Sequence, residues 1–192
     1  MKIVIDPGHG GQDPGAVYRG RVDIDTDDIA EADVAWDLAE EIAAALQADG
    51  HNIWFTRSRD QYISPRARAH MANQVRADLL ISVHINASTD PMANGVEIIV
   101  DERSADSRDV ASYILVAIGR DCTVRVRGIK LDCETPPKHL TVLEAANMPA
   151  VLIEAGFISH ASDLDYVLDH GREIAQAVAD GVEAWSQNEV AI

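Results

Sequence analysis

The sequence predicts an α/β fold: a single domain over residues 1–192, with a twisted, mostly parallel or mixed β-sheet flanked by helices on both faces. Three observations carry this. Short apolar runs recur along the chain, four-residue apolar stripes lie between them, and no repeat, low-complexity tract or Pro/Ser-rich linker divides them. Strands that read as nearly continuous apolar runs belong to a sheet covered on both sides.

The strand runs are Ile3–Ile5, Ile53–Phe55, Leu79–Ile85, Val96–Val100 and Val151–Ile153. Between the first two, Val34, Leu38, Ile42 and Leu46 share one helical face, with Asp27 or Asp28 available as a cap and Gly50 beyond the end. Ser64-Pro65 reads as an N-cap followed by proline at the first helical position, opening a helix to about Val75. A last helix carries Ile174, Val178, Val182 and Trp185 on one stripe. The simplest reading of each stripe is core packing.

At 47% hydrophobic and 25% charged, the chain is neither disordered nor collagen-like. No apolar run approaches the roughly 20 residues needed to span a bilayer. With 16 basic against 32 acidic residues, its net charge of -16 is repelled by phosphate backbones and anionic lipid, which argues against nucleic-acid and membrane partners. Met1-Lys2 runs straight into Ile3-Val4-Ile5, too short for a signal-peptide core, so the expectation is synthesis in the cytoplasm without a signal peptide. Cys122 and Cys133 form no CxxC and no Cys/His cluster, and are expected as free thiols ahead of a disulfide or a metal site.

Functional groups on such a sheet sit at strand ends and in the loops that follow. His9 stands among glycines in Asp6-Pro7-Gly8-His9-Gly10-Gly11, a tight turn that aims its imidazole into the enclosed space. The segment has no GxGxxG or P-loop pattern and no nearby lysine, which argues against a nucleotide. His84 lies in an apolar strand and shares one face with Ser82 and Asn86 by the two-residue period. Glu154 follows Val-Leu-Ile and precedes Ala-Gly-Phe-Ile; a carboxylate in so apolar a setting must be protonated, paired or near a cation. Glu31 stands near the start of the first helix, where the dipole favours an acid for structural reasons alone. Two histidines and a glutamate make a His₂Glu set of the catalytic-zinc type, with a further carboxylate left over as general base.

The segments Ile3 to Ala16, Glu31-Ala32-Asp33-Val34, Ser82 to Ala87 and Leu152 to Ser159 resemble zinc-dependent N-acetylmuramoyl-L-alanine amidases of the autolysin and phage-endolysin type. Arg68 through Ala72-Asn73 and Asn147-Met148-Pro149-Ala150 also fit, so the likeness covers nearly the whole chain in order. The resemblance implies one Zn²⁺ held by His9, Glu31 and His84, with Glu154 catalytic, and cleavage of the amide between N-acetylmuramic acid and L-alanine in peptidoglycan. Ser82 and Asn86 are candidates for supporting the ligands or touching substrate. Asp23, Asp25, Asp27 and Asp28 compete with Glu31 as carboxylate ligands, and Glu144 stands where the family commonly has an arginine.

The expectation is therefore a monomeric zinc hydrolase without a cell-wall-binding module, acting on the wall after phage lysis or mother-cell lysis. Two other readings stay open. One is a zinc peptidase cutting within the stem peptide; the other is a non-catalytic wall-binding domain.

Overall fold

A computed structural model describes residues 1–19, 28–135 and 138–187. The elements run β1 (Lys2–Pro7), β2 (Val17–Tyr18), β3 (Ile29–Ala30), α1 (Glu31–Ala48), β4 (Asn52–Phe55), α2 (Pro65–Val75), β5 (Leu79–Asn86), β6 (Val96–Val100), α3 (Ala105–Asp121), β7 (Val126–Leu131), a 3-10 turn (Asp132–Glu134), α4 (Thr141–Glu144), β8 (Ala150–Phe157) and α5 (Ala161–Ser186). Six strands form one mixed sheet in the order β4-β1-β5-β8-β6-β7, and β2 pairs with β3 in a small antiparallel ribbon.

Every pairing in the large sheet is parallel except β6 with β8. Because β1, β5 and β8 are parallel neighbours, their C-terminal ends open on one edge of the sheet. The chain passes outward from β1 to β4 and then returns to the other side of β1 with β5. That reversal leaves a crevice at the strand ends, the usual place for a ligand in open α/β sheets.

Both faces are covered. On one, Ile3, Ile5, Ile81, Val83, Ile98 and Ile153 bury against α1, α3 and α5, with the expected Leu38, Ile42, Ile174 and Val178 among the contacts. On the other, Val4, Leu80, Ile99 and Leu152 pack on α2 and α4 through Ala72, Val142 and Leu143. The second face has less cover. Its strands carry Asp6, Ser82, His84 and Glu154 toward their C-terminal ends, in place of the apolar residues below them.

Two local expectations change. Helix α1 begins at Glu31 after Ala30, with no side-chain cap. The first N–H groups of the helix instead donate to the carbonyls of Ala16 (from Glu31) and Pro14 (from Ala32), so the loop after β1 does what a cap would do. Asp27 lies outside the described residues, and Asp28 precedes β3 rather than the helix. Helix α2 does follow Ser64-Pro65 and ends on Arg76 in the left-handed conformation. Strand β7 is an addition: its Val-Arg-Gly-Ile-Lys-Leu sequence occupies a sheet edge, where one exposed side removes the apolar signature. Cys122 and Cys133 are free thiols.

Candidate active site

The turn after β1 delivers His9 in a left-handed backbone conformation, φ 56°. A tight turn closes behind it, with Gly10 and Asp13 exchanging backbone hydrogen bonds of 2.8 and 3.1 Å. Two buried arginines hold the turn from below. Arg57 donates to the carbonyls of Pro7 and Gly8 at 2.9 and 2.8 Å, and Arg68 donates to those of Pro7 and His9. Arg68 also pairs with buried Asp6 at 2.9 Å. Asp6 in turn accepts from Thr56 Oγ1 and Ser82 Oγ. Backbone carbonyls crowded at a sharp turn need donors, and the guanidinium fork supplies several at once.

Strand β5 brings His84 to the neighbouring position. Glu31, from the start of α1, reaches both imidazoles with one oxygen: Oε1 lies 3.1 Å from His9 Nε2 and 2.9 Å from His84 Nδ1. Its Oε2 accepts from the N–H of Ala16 at 3.0 Å. The rings meet edge to face, 5.0 Å between centroids. His9 places its other nitrogen, Nδ1, 3.0 Å from Asp13 Oδ2, and Asp13 Oδ1 accepts from Gly15 N–H. That carboxylate fixes the ring orientation and leaves Nε2 facing the centre.

Donor atoms of His9, Glu31 and His84 all lie within 4.8 Å of one another, close enough to serve one small cation. Borderline-soft imidazole nitrogens with a carboxylate match zinc. Glycines make the cradle possible. A Cβ at Gly8 would stand 2.6 Å from His84 Nδ1, and one at Gly15 would stand 2.7 Å from Glu31 Oε2 and from the His9 ring. Asp28 is exposed and stands outside this group, whereas Asp23, Asp25 and Asp27 fall outside the described residues.

The electrostatics follow from this packing. Burial pushes the Glu31 carboxyl up, but the hydrogen bonds and charges of His84 and His9 outweigh it and hold Glu31 well below the usual carboxylate range. Burial pulls His9 down, while Glu31 and then Asp13 raise it above the ordinary imidazole value.

Glu154 stands beside them. It faces His84 across the β5–β8 pair and Glu97 across the β6–β8 pair. Its Oε2 is closed off from solvent and finds no hydrogen-bond partner among the described residues. Burial first, then the charges of Glu31 and Glu97, push its pKa well above the usual range, and Lys130 opposes this.

Above these groups lies a cleft of about 140 Å³, lined by His9, Asp13, Tyr62, Ile63, His84 and Val142 among others. A family model described as N-acetylmuramoyl-L-alanine amidase matches residues 3–184. The chain belongs to the N-acetylmuramoyl-L-alanine amidase family.

Individual amidases agree. The chain is 32% identical over 187 residues to the N-acetylmuramoyl-L-alanine amidase LytC of Bacillus subtilis, covering 95% of this chain and 35% of that relative. It therefore spans about a third of LytC's length. The crystal structure of an N-acetylmuramoyl-L-alanine amidase from Clostridium difficile 630 superposes with a TM-score of 0.86 at 30% identity, covering 98% of each chain. AmiC2 of Nostoc punctiforme, of the same description, gives 0.85 at 27% identity over 97% of each chain.

Within this amidase fold the remaining sequence candidates have structural partners of their own. Ser82 is fully buried and donates to Asp6 Oδ2 at 2.7 Å, so it braces the network under the His9 turn. Asn86 donates to Glu97 Oε1 at 3.0 Å. Sequence reasoning does not reach Asp13, Arg57, Glu97, Arg127 and Lys130. Glu97 carries the same signal as Glu154, a lone acid in an apolar strand, and could have been found that way. It is held by Arg127 and by Lys130 at 2.9 Å.

Proposed function

We propose that this protein is a zinc-dependent N-acetylmuramoyl-L-alanine amidase. It cleaves the amide that joins the lactyl group of N-acetylmuramic acid to L-alanine of the peptidoglycan stem. The observation that carries this reading is the convergence of His9 Nε2 and His84 Nδ1 on one oxygen of Glu31, with Glu154 Oε2, unpartnered among the described residues, one strand away, in a chain of this family. The catalytic unit is the single domain built on the six-stranded sheet.

His9, Glu31 and His84 hold the metal, and Asp13 keeps the His9 ring turned toward it. Zinc, when bound, polarises the scissile carbonyl and lowers the pKa of a water to about 7. Glu154 Oε2 accepts the proton of the attacking water as its oxygen bonds to the amide carbon. The same oxygen then passes that proton to the amide nitrogen as the C–N bond breaks. The products are a carboxylate on the lactyl group and a free L-alanine amine. A cation held by His9, Glu31 and His84 would offset the charge of Glu31, which after burial is the next cause of the raised Glu154 value, and so would favour its carboxylate form. The cleft walls at Tyr62, Ile63 and Val142 supply apolar and aromatic surface for the sugar and the first peptide residues.

The test is mass spectrometry of peptidoglycan digested by the chelated and the zinc-reloaded protein. The expected products are intact stem peptides beginning with a new L-alanine amine, released only after reloading. New termini inside the stem would identify a peptidase instead. Binding without any cleavage would identify a wall-binding domain.

A further inference from the structure

We propose that Asp132, His139 and Glu144 form a second site for a divalent transition-metal ion, separate from the His9–Glu31–His84 set. The three are close in sequence but come from different local structures. Asp132 opens the 3-10 turn after β7, Glu144 ends α4, and His139 lies between them. One donor atom from each lies within 4.8 Å of the others.

Asp132 points to a ligand independently of that clustering. It is fully buried, its Oδ1 accepts from the N–H of Glu102 at 3.2 Å, and its Oδ2 has no hydrogen-bond partner among the described residues. A buried carboxylate oxygen without a donor is unfavourable until a proton, a water or a cation completes it, and the imidazole and second carboxylate beside Asp132 suit a cation. His139 Nδ1 stands 3.4 Å from Glu144 Oε1, long for a hydrogen bond. Two donors each about 2.1 Å from one ion in tetrahedral geometry stand about 3.4 Å apart.

Asp101 adds negative charge beside His139, and Arg103, engaged by Asp101, also reaches Glu144 Oε1 at 3.7 Å and must yield that oxygen to the ion. One imidazole with two carboxylates suits zinc or another first-row divalent ion, and the imidazole disfavours calcium and magnesium. The ion would tie Asp132 to His139 and to Glu144 of α4, the helix whose Val142 lines the cleft. This site does not depend on the proposed activity.

The test is uptake of Zn²⁺ by the chelator-stripped full chain, followed by calorimetric titration and elemental analysis after dialysis. The wild-type chain is expected to take up two equivalents. His139→Ala and Glu144→Gln alter exposed side chains and should each remove one equivalent, or weaken it at least tenfold. His84→Ala should keep the second site, and the double variant His84→Ala/Glu144→Gln should bind neither ion. One equivalent in the wild type, or two retained by both His139→Ala and Glu144→Gln, would overturn the proposal. Cleavage by Glu144→Gln is read separately, so loss of the second ion and failure of the amidase reading remain distinguishable.

Discussion

His84 and Glu154 are direct partners across the parallel β5–β8 pair, so a metal-ligand candidate and a general-base candidate are fixed side by side by backbone pairing. Their separation is set by strand spacing, about 4.8 Å, rather than by flexible loops. Catalytic groups on adjacent strands need little reorganisation before reaction. Replacing Glu154 with Gln keeps the shape and removes the proton acceptor. Cleavage of muramyl-peptide substrate should fall by about 10²–10⁴-fold. Elemental analysis should show zinc retained. Near-full activity with metal bound would take Glu154 out of the mechanism.

The glycine at position 8 leaves room for the His84 imidazole, because a Cβ there would overlap the ring. Gly8→Ala should therefore weaken zinc binding by displacing His84, while the core of the sheet stays folded. Circular dichroism and a competitive zinc titration separate the two effects. Unchanged zinc affinity would mean that the turn yields more easily than its arginine contacts imply.

Removing the metal exposes the charge pairing of His9 with Glu31. The folded-state value of His9 is raised above 6.5, so its contribution to metal-free stability is complete below 6.5 and is lost as pH rises through the raised value. Glu31 is lowered from 4.5, so its contribution is present above 4.5 and is lost as pH falls toward the lowered value. The metal-free protein should thus resist urea best between about pH 4.5 and 6.5. Zinc must displace the His9 proton, so binding near pH 6.5 should release up to about one proton. Calorimetry in buffers of different ionisation enthalpy measures this, and the release should fall away as pH is raised through the His9 value.

Arg68 and Asp6 form a pair with side chains only 5% and 2% exposed. Removing one partner of a buried pair leaves the other charge uncompensated, at a cost of about 3–5 kcal/mol. Arg68→Ala should lower unfolding stability by about that amount in urea denaturation. It should also weaken zinc binding, since Arg68 donates to the carbonyl of His9. A stability loss with unchanged zinc affinity would confine Arg68 to scaffolding.

Much of the fold was legible because each local signal agreed with the global one. Apolar runs became β1, β4, β5, β6 and β8, and the four-residue stripe Val34 to Leu46 became the buried face of α1. His9, His84 and Glu154 were visible as polar interruptions where apolar or glycine-rich sequence has no structural need of them. Strand β7 was not, because an edge position lets Arg127, Gly128 and Lys130 stand where a central strand would demand apolar residues. Glu97 shows the same interruption, but its burial against Arg127 and Lys130 depends on the β6–β7 pairing, which the sequence does not specify.

Residue types and their intervals determined by themselves that the chain makes a covered α/β sheet and which imidazoles and acids stand out from it. Only the tertiary structure decided that Glu31 meets His84 across 53 residues, that Arg57 reaches the turn 49 residues earlier, and that Glu154 lies between His84 and Glu97. The reason is strand order. Periodicity specifies which side of a strand is apolar, whereas the neighbour of each strand follows from how the crossover helices pack, and that information is spread over the whole core.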